Sequence, residues 1–296
     1  MRTYTKKLST LGLLASLLSA CGGSGGGGHE TPTVTQFISF NDLPDNGIVE
    51  IEGRAVVALF ARDLVSGDTL VSNVNNGLDS TARITRQNGS SVKLELTAPF
   101  SEASFDLRTD SDSDVSGPLV FFFSLDGQRF AFLLEGSASS PYQHQVLGSW
   151  VTGFPVDIGE IAAGAYGNPT PIANLPAGQS ATYTGLSIGT ARRSDGELYS
   201  TISNVDLRTD FRTVSVSSTE TEGLNLNTGS IVDASELDFQ GGGAVSGTSF
   251  TTVVSGPTTL GTADGTFHGP NAEEVAGTYS LFGSGGVVHV GAFGGN

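Results

Sequence analysis

The sequence predicts an all-β protein, and three observations carry that prediction. Forty-one of its 296 residues are glycine, long aliphatic runs are few, and Thr, Ser and Val are abundant. Short alternating segments recur along the chain, separated by Asn-Gly, Asp-Gly and Gly-rich corners. No segment of useful length carries a helical period, and the one short helix expected spans residues 157–165. We read a small antiparallel β domain over residues 37–140, followed by an up-and-down barrel over 141–296. A chain of this length can bury a sizeable core.

The first twenty residues form an export leader. Arg2, Lys6 and Lys7 precede an apolar run from Leu11 to Leu18 that is too short to span a bilayer. Leu18-Ser19-Ala20-Cys21 looks like a bacterial lipobox, so Cys21 is the expected acylated N-terminus of the mature chain. Gly22 is not the aspartate that usually marks inner-membrane retention in lipoproteins, so the resemblance to a lipobox implies the outer membrane. Residues 21–36 then read as the acylated cysteine and a flexible Gly-rich tether. Cys21 is the only cysteine, so no intramolecular disulfide forms and the fold rests on its core.

Charge narrows the functional classes. The net charge of −16, less the three positive charges of the leader, becomes −19, and the only lysine then left is Lys93. Nucleic acid, which needs a basic stripe, is excluded as a partner. The acidic surplus itself reads as solubility in salty surroundings.

In the first domain, Gly47 to Phe60 alternates as a strand, with Val49, Ile51, Ala55, Val57 and Leu59 on one face and Glu50, Glu52 and Arg54 on the other. Residues 81–97 form a hairpin around Asn88-Gly89, and residues 118–135 another around Asp126-Gly127. Asp110, Asp112 and Asp114 have the alternate spacing of a calcium loop. They lack its glycine and glutamate and have no flanking helices, so we read a solvated loop.

Gly148-Ser149-Trp150 opens the second domain. A Gly-x-Trp on a first barrel strand is similar to the arrangement in lipocalins, which would lay the Trp150 indole across the barrel floor. The strands expected next are 181–185, 197–208, 212–219, 236–239, 247–254 and 286–293, with 241–243 as a Gly-rich corner.

Two motifs lie within this half. Residues 265–283 read G-T-F-H-G-P-N-A-E-E-V-A-G-T-Y-S-L-F-G: two extended segments joined by a Gly269-Pro270 corner, which stops the first strand. Upstream, Thr170-Pro171 is followed by L-P-A-G-Q-S-A-T-Y-T-G, ending at Tyr183 and Gly185. Together they resemble the closing and opening motifs of the barrel in the transferrin-binding-protein-B-like family of bacterial surface lipoproteins. Gly265, Phe267, Gly269, Pro270, Ala272, Glu274 and Gly277 fall at the family spacing, whereas His268 and Tyr279 replace the usual tyrosine and phenylalanine.

The resemblance implies a β handle domain followed by an eight-stranded barrel, on a lipoprotein facing the cell exterior. It also implies capture of an iron- or haem-carrying protein or other solute through loops of both parts, with a membrane transporter as partner. His268 and Tyr279, if they share one barrel end, are candidate contacts for a ligand such as haem; no other cofactor is expected. The competing reading is a structural lipoprotein of the periplasmic leaflet with no soluble ligand.

Enzymatic chemistry has little support. Gly185-Leu186-Ser187-Ile188-Gly189 fits the nucleophile-elbow expression, but it lies in an extended segment with no helix after it. His29, His144, His268 and His289 have no metal-ligand spacing. Glu273 and Glu274, adjacent on a corner, are expected to cap backbone amides. We expect a binding protein, not an enzyme.

Overall fold

The computed structural model describes residues 34–63, 65–106, 142–154, 158–176 and 178–296, together with the backbone of 119–123 and 129–134. The leader, Cys21, the tether with His29, the Asp110–Asp114 loop and the Asp126-Gly127 turn lie outside the described residues.

Strand dominates throughout, as composition and patterning predict. The first sheet contains β1 (Val34–Gln36), β2 (Gly47–Arg62), β3 (Thr69–Gln87), β4 (Ser90–Ala98), β5 (Ser101–Asp106), β6 (Leu119–Phe123), β7 (Arg129–Leu134), β8 (Gln145–Thr152) and β9 (Ile158–Gly167). Its order is β5-β4-β3-β2-β9-β8-β7-β6, with β1 parallel to β2 on the side. The β3–β4 turn has positive φ at both Asn88 and Gly89, the geometry for which Asn-Gly is favoured.

This sheet curls around its own core, where Val49, Ile51, Ala55 and Val57 meet Ile84, Leu94, Leu96, Phe105, Trp150 and Tyr166. The Trp150 indole N–H donates to the Ser101 hydroxyl at 3.0 Å, which ties β8 to β5. Strand alternation buries Val56, Ala58 and Phe60 on the opposite face of β2, and the β2–β3 register carries irregularities after Ala55 and Val57 where β3 has extra residues.

The barrel contains β10 (Ala181–Arg192), β11 (Leu198–Thr209), β12 (Thr213–Asn225), β14 (Gln240–Ser246), β15 (Ser249–Ser255), β16 (Thr259–His268), β17 (Glu274–Gly283) and β18 (Val288–Gly295), with the short β13 (Ile231–Asp233) beside β12. Neighbouring strands are antiparallel, and β10 pairs with both β11 and β18, which closes the eight-stranded ring. Its interior is filled by side chains, among them Tyr183, Phe211, Phe239, Phe250, Phe267, Tyr279 and Phe293.

Five expectations need correction. The change of sheet does not fall at residue 141: β8 and β9 pair with β7 and β2, so the barrel begins at Ala181. Trp150 therefore belongs to the first core and not to the barrel floor. Residues 158–165 are strand and not helix, because β9 is a central strand covered on both faces. Glu236 lies in a 3-10 turn, and Gly241–Gly243 sit inside β14 rather than at a corner. A Cβ at Gly241 would stand 2.2 Å from the Val253 carbonyl oxygen, so this crossing admits only glycine.

Candidate functional site

The two sheets meet along a seam. Val56, Ala58, Phe60, Leu147, Val151, Ile161 and Ala163 of the first sheet pack on Ile188, Ala276, Val288, Val290 and Ala292 of the barrel wall. The closing motif builds one end of this seam. The Glu274 carboxylate accepts backbone N–H bonds from Gln143 (2.5 Å) and His144 (3.1 Å), so the motif glutamate fastens the segment before β8. Burial raises its pKa, and those same N–H bonds oppose the rise. Glu273 accepts from the Asn271 backbone and side chain, both at 2.8 Å; these bonds outweigh its partial burial and hold its pKa low. Both glutamates thus cap amides, as their corner position suggests.

His268 sits opposite Glu274 in the β16–β17 register and forms a bridge with Pro169. The Thr170 N–H donates to the Phe267 carbonyl at 2.9 Å and the Gly269 N–H to the Asn168 carbonyl at 3.0 Å, so the linker is clipped to the closing strand. Gly167 is needed there, since a Cβ would come within 2.6 Å of the His268 Nδ1. Burial lowers the His268 pKa to about 4, against a smaller opposing effect of the Asn168 backbone, and Nδ1 makes no well-formed hydrogen bond.

The two family motifs meet in space. The Tyr183 hydroxyl donates to the Ala272 carbonyl at 2.6 Å, and its ring lies 6.0 Å from that of Phe267. Ala272 is buried with φ at 61°, and Gly269 has φ at 84°, so the corner around Pro270 depends on left-handed residues on either side of it.

Tyr279 shares the barrel interior with Tyr183 and Phe267, away from the side on which His268 lies. Its hydroxyl accepts from Ser187 Oγ at 2.9 Å and lies 2.8 Å from His289 Nε2, with Thr201 Oγ1 on the same nitrogen at 2.9 Å. All four side chains are sealed inside the barrel. Burial drives His289 down to about 3 and Tyr279 above its usual range. Ser187 thus bonds to a buried phenol on a regular strand and does not sit at an exposed elbow. His268 and Tyr279 are on opposite faces of the barrel wall, so the two do not form the shared ligand contact expected of them. Among the described residues, no group of three or more His, Cys, Asp or Glu side chains is placed to hold a metal ion.

Beyond the seam the curled sheet departs from the barrel and leaves an open cleft of about 1160 Å³. One wall carries Glu52, Arg54, Asp79, Thr81, Thr97 and Glu102; the other carries Ser249, Thr251, Asp264 and Thr266. Ala165, Gly167, Pro169, His268 and Gly277 lie along it between these walls, and Phe100 stands at the rim. Sequence reasoning singled out only part of this site: Gly265, His268 and Gly277 belong to the closing motif, whereas the facing wall on β2 to β5 carries no motif. On that wall only the alternation that places Glu50, Glu52 and Arg54 on one face of β2 gave a signal.

No family model matches the sequence, and no curated protein matches it. Similar solved structures include transferrin binding protein B from Haemophilus parasuis Hp5, at a TM-score of 0.44 and 10% identity, covering 90% of this chain and 78% of that one. The same protein from Actinobacillus pleuropneumoniae H49 aligns at a TM-score of 0.41 and 13% identity, over 82% and 99%. The isotype 1 protein from serogroup B Neisseria meningitidis aligns at 0.33 and 12%, over 83% and 76%.

Proposed function

We propose that this chain is a lipid-anchored binding protein of the outer membrane, facing the cell exterior, which captures its ligand in the cleft between handle sheet and barrel. The ligand class is an iron- or haem-carrying protein or another solute, handed on to a membrane transporter. The observation that carries this reading is the cleft itself, where two sheets fixed by a common apolar seam present unlike polar walls across an open space. Polar groups converging on a preformed concavity are the usual mark of a binding site. The lipobox at Cys21 supports the anchor, and the motif residues Gly265 to Gly277 support the barrel's kinship.

The test has two arms. Intact cells are treated with protease, and the protein is expected to be degraded; full protection would favour the periplasmic-leaflet alternative. Purified protein is then offered iron- and haem-carrying proteins in pull-down. Silence across that panel, with tight binding of an unrelated ligand, would remove the iron reading and keep the binding one. Mass spectrometry finding an unmodified thiol at Cys21 would remove the anchor.

A further inference from the structure

The chemistry of the cleft selects among ligands. Strand register aligns Glu52 with Thr81, Thr81 with Thr97, and Thr97 with Glu102, so these four side chains form one row across β2, β3, β4 and β5. At a strand spacing of about 4.8 Å, the two carboxylates stand roughly 14 Å apart. Both are exposed. Arg54 is paired with Asp79 at 2.6 Å, which neutralises the only cation of the lining. The opposite wall adds Asp264, whose carboxylate accepts from Asn76 at 2.7 Å and from Thr251 at 2.6 Å. Three negative charges therefore remain in the cleft.

Two independent features show that the place is more than an acidic surface. Phe100 is 81% exposed at the rim, in the two-residue Pro99-Phe100 turn, with φ at 72° where glycine is the favoured residue. A bulky side chain kept at a strained and solvated position points to function. His268 lines the same cleft while only 5% exposed, with no well-formed hydrogen bond at its Nδ1.

Resting on the binding reading above, we propose that the cleft accepts a basic, arginine-bearing segment of a partner protein. Its guanidinium groups pair with Glu52 and Glu102, and one stacks on the Phe100 ring. Arginine matches carboxylates in two-point geometry and stacks on aromatic faces. The cleft is open to solvent and of about 1160 Å³, which admits a stretch of chain. A neutral oligosaccharide would use the hydroxyl-rich walls and the ring, but it would give the surplus charge no partner.

The experiment titrates the full chain in detergent with a labelled nona-arginine peptide and, separately, with chitohexaose. The double change Glu52→Gln with Glu102→Gln is expected to weaken peptide binding roughly tenfold or more. Glu220→Gln with Glu222→Gln, an equal change of charge on another face of the barrel, should alter it less than about twofold. Phe100→Gly should weaken it by roughly tenfold with the fold retained by circular dichroism. The His268 imidazole resonance should move on binding while that of His289, sealed in the barrel, stays put.

Equal losses from the two glutamate pairs would overturn the inference, because net charge alone would then explain the binding. Full affinity in the Phe100 variant would do the same, as would tighter binding of the oligosaccharide than of the peptide. If the peptide fails to bind while the cleft variants lose a protein captured in the panel above, the basic-segment chemistry is wrong and the binding reading stands. If neither peptide nor any panel protein binds, both fall.

Discussion

Phe100, Ala272, His268 and Tyr279 each show a side chain held where its own preferences would not put it. The Phe100 backbone occupies the left-handed region at a cost of about 1–3 kcal/mol. Phe100→Gly should therefore raise stability by about 1 kcal/mol, read as an increased thermal midpoint. Tyr279→Phe deletes the phenol between Ser187 and His289, leaving the buried Ser187 hydroxyl without its partner while Thr201 still holds His289 Nε2. A loss of about 1–3 kcal/mol is expected in chemical denaturation.

The two buried histidines set an acid limit. Their folded pKa values, about 4 for His268 and about 3 for His289, lie below the ordinary 6.5. Above pH 6.5 both are neutral folded or unfolded, and their contribution is complete. As pH falls below 6.5 the unfolded chain binds protons that the folded chain refuses, so stability drops by about 1.4 kcal/mol per pH unit per group. The loss levels off below about 4 and 3 respectively. Glu274, with its raised pKa, favours the fold toward acid and offsets part of this. The denaturant midpoint should fall steadily below pH 6.5, and His268→Asn should flatten the slope.

At the scale of elements, the sequence made individual strands readable but not their partners. Alternation marked β2, and Asn88-Gly89 marked the β3–β4 hairpin, because both signals are local. The closing motif was equally legible. Its glycines are fixed by contact: a Cβ on Gly277 would meet the Asp264 carbonyl at 2.1 Å and Phe293 at 2.5 Å. Gly277→Ala is accordingly expected to cost about 1–3 kcal/mol through overpacking, measured by thermal unfolding.

β9 was illegible for a related reason. Its alanines favour a helix, yet the small residues are present because β9 lies between two cores. A Cβ on Gly159 would come within 2.6 Å of the Phe60 ring. Trp150 misled similarly, since a Gly-x-Trp says that an indole is buried but not in which sheet. Of the cleft, only the closing-motif residues and the polar face of β2 were legible, and not that they meet. Its charged row depends on the register of four strands, and its far wall on how the barrel is docked.

The whole molecule behaves as one packed unit from Thr33 to Asn296. Arg192, only 7% exposed, reaches from β10 to the Thr69 carbonyl of the first sheet and the Gly285 carbonyl of the barrel. With Glu274 and the apolar seam it binds the two sheets together. Handle and barrel should therefore unfold together. Fluorescence of Trp150, which reports only the first sheet, should give the same midpoint as far-ultraviolet circular dichroism, which reports both. Val290→Ala at the seam should lower that common midpoint without splitting it, and two separate transitions would count against a shared core.

β18 has a consequence for how this chain comes to be folded. It is the strand that both β10 and β17 pair with, and it carries Val288, Val290 and Ala292 to the seam. While a ribosome is still making the protein, β10 must wait for residues almost a hundred positions downstream. The ring cannot shut and the seam cannot fill until those residues emerge. Such distant pairing delays folding.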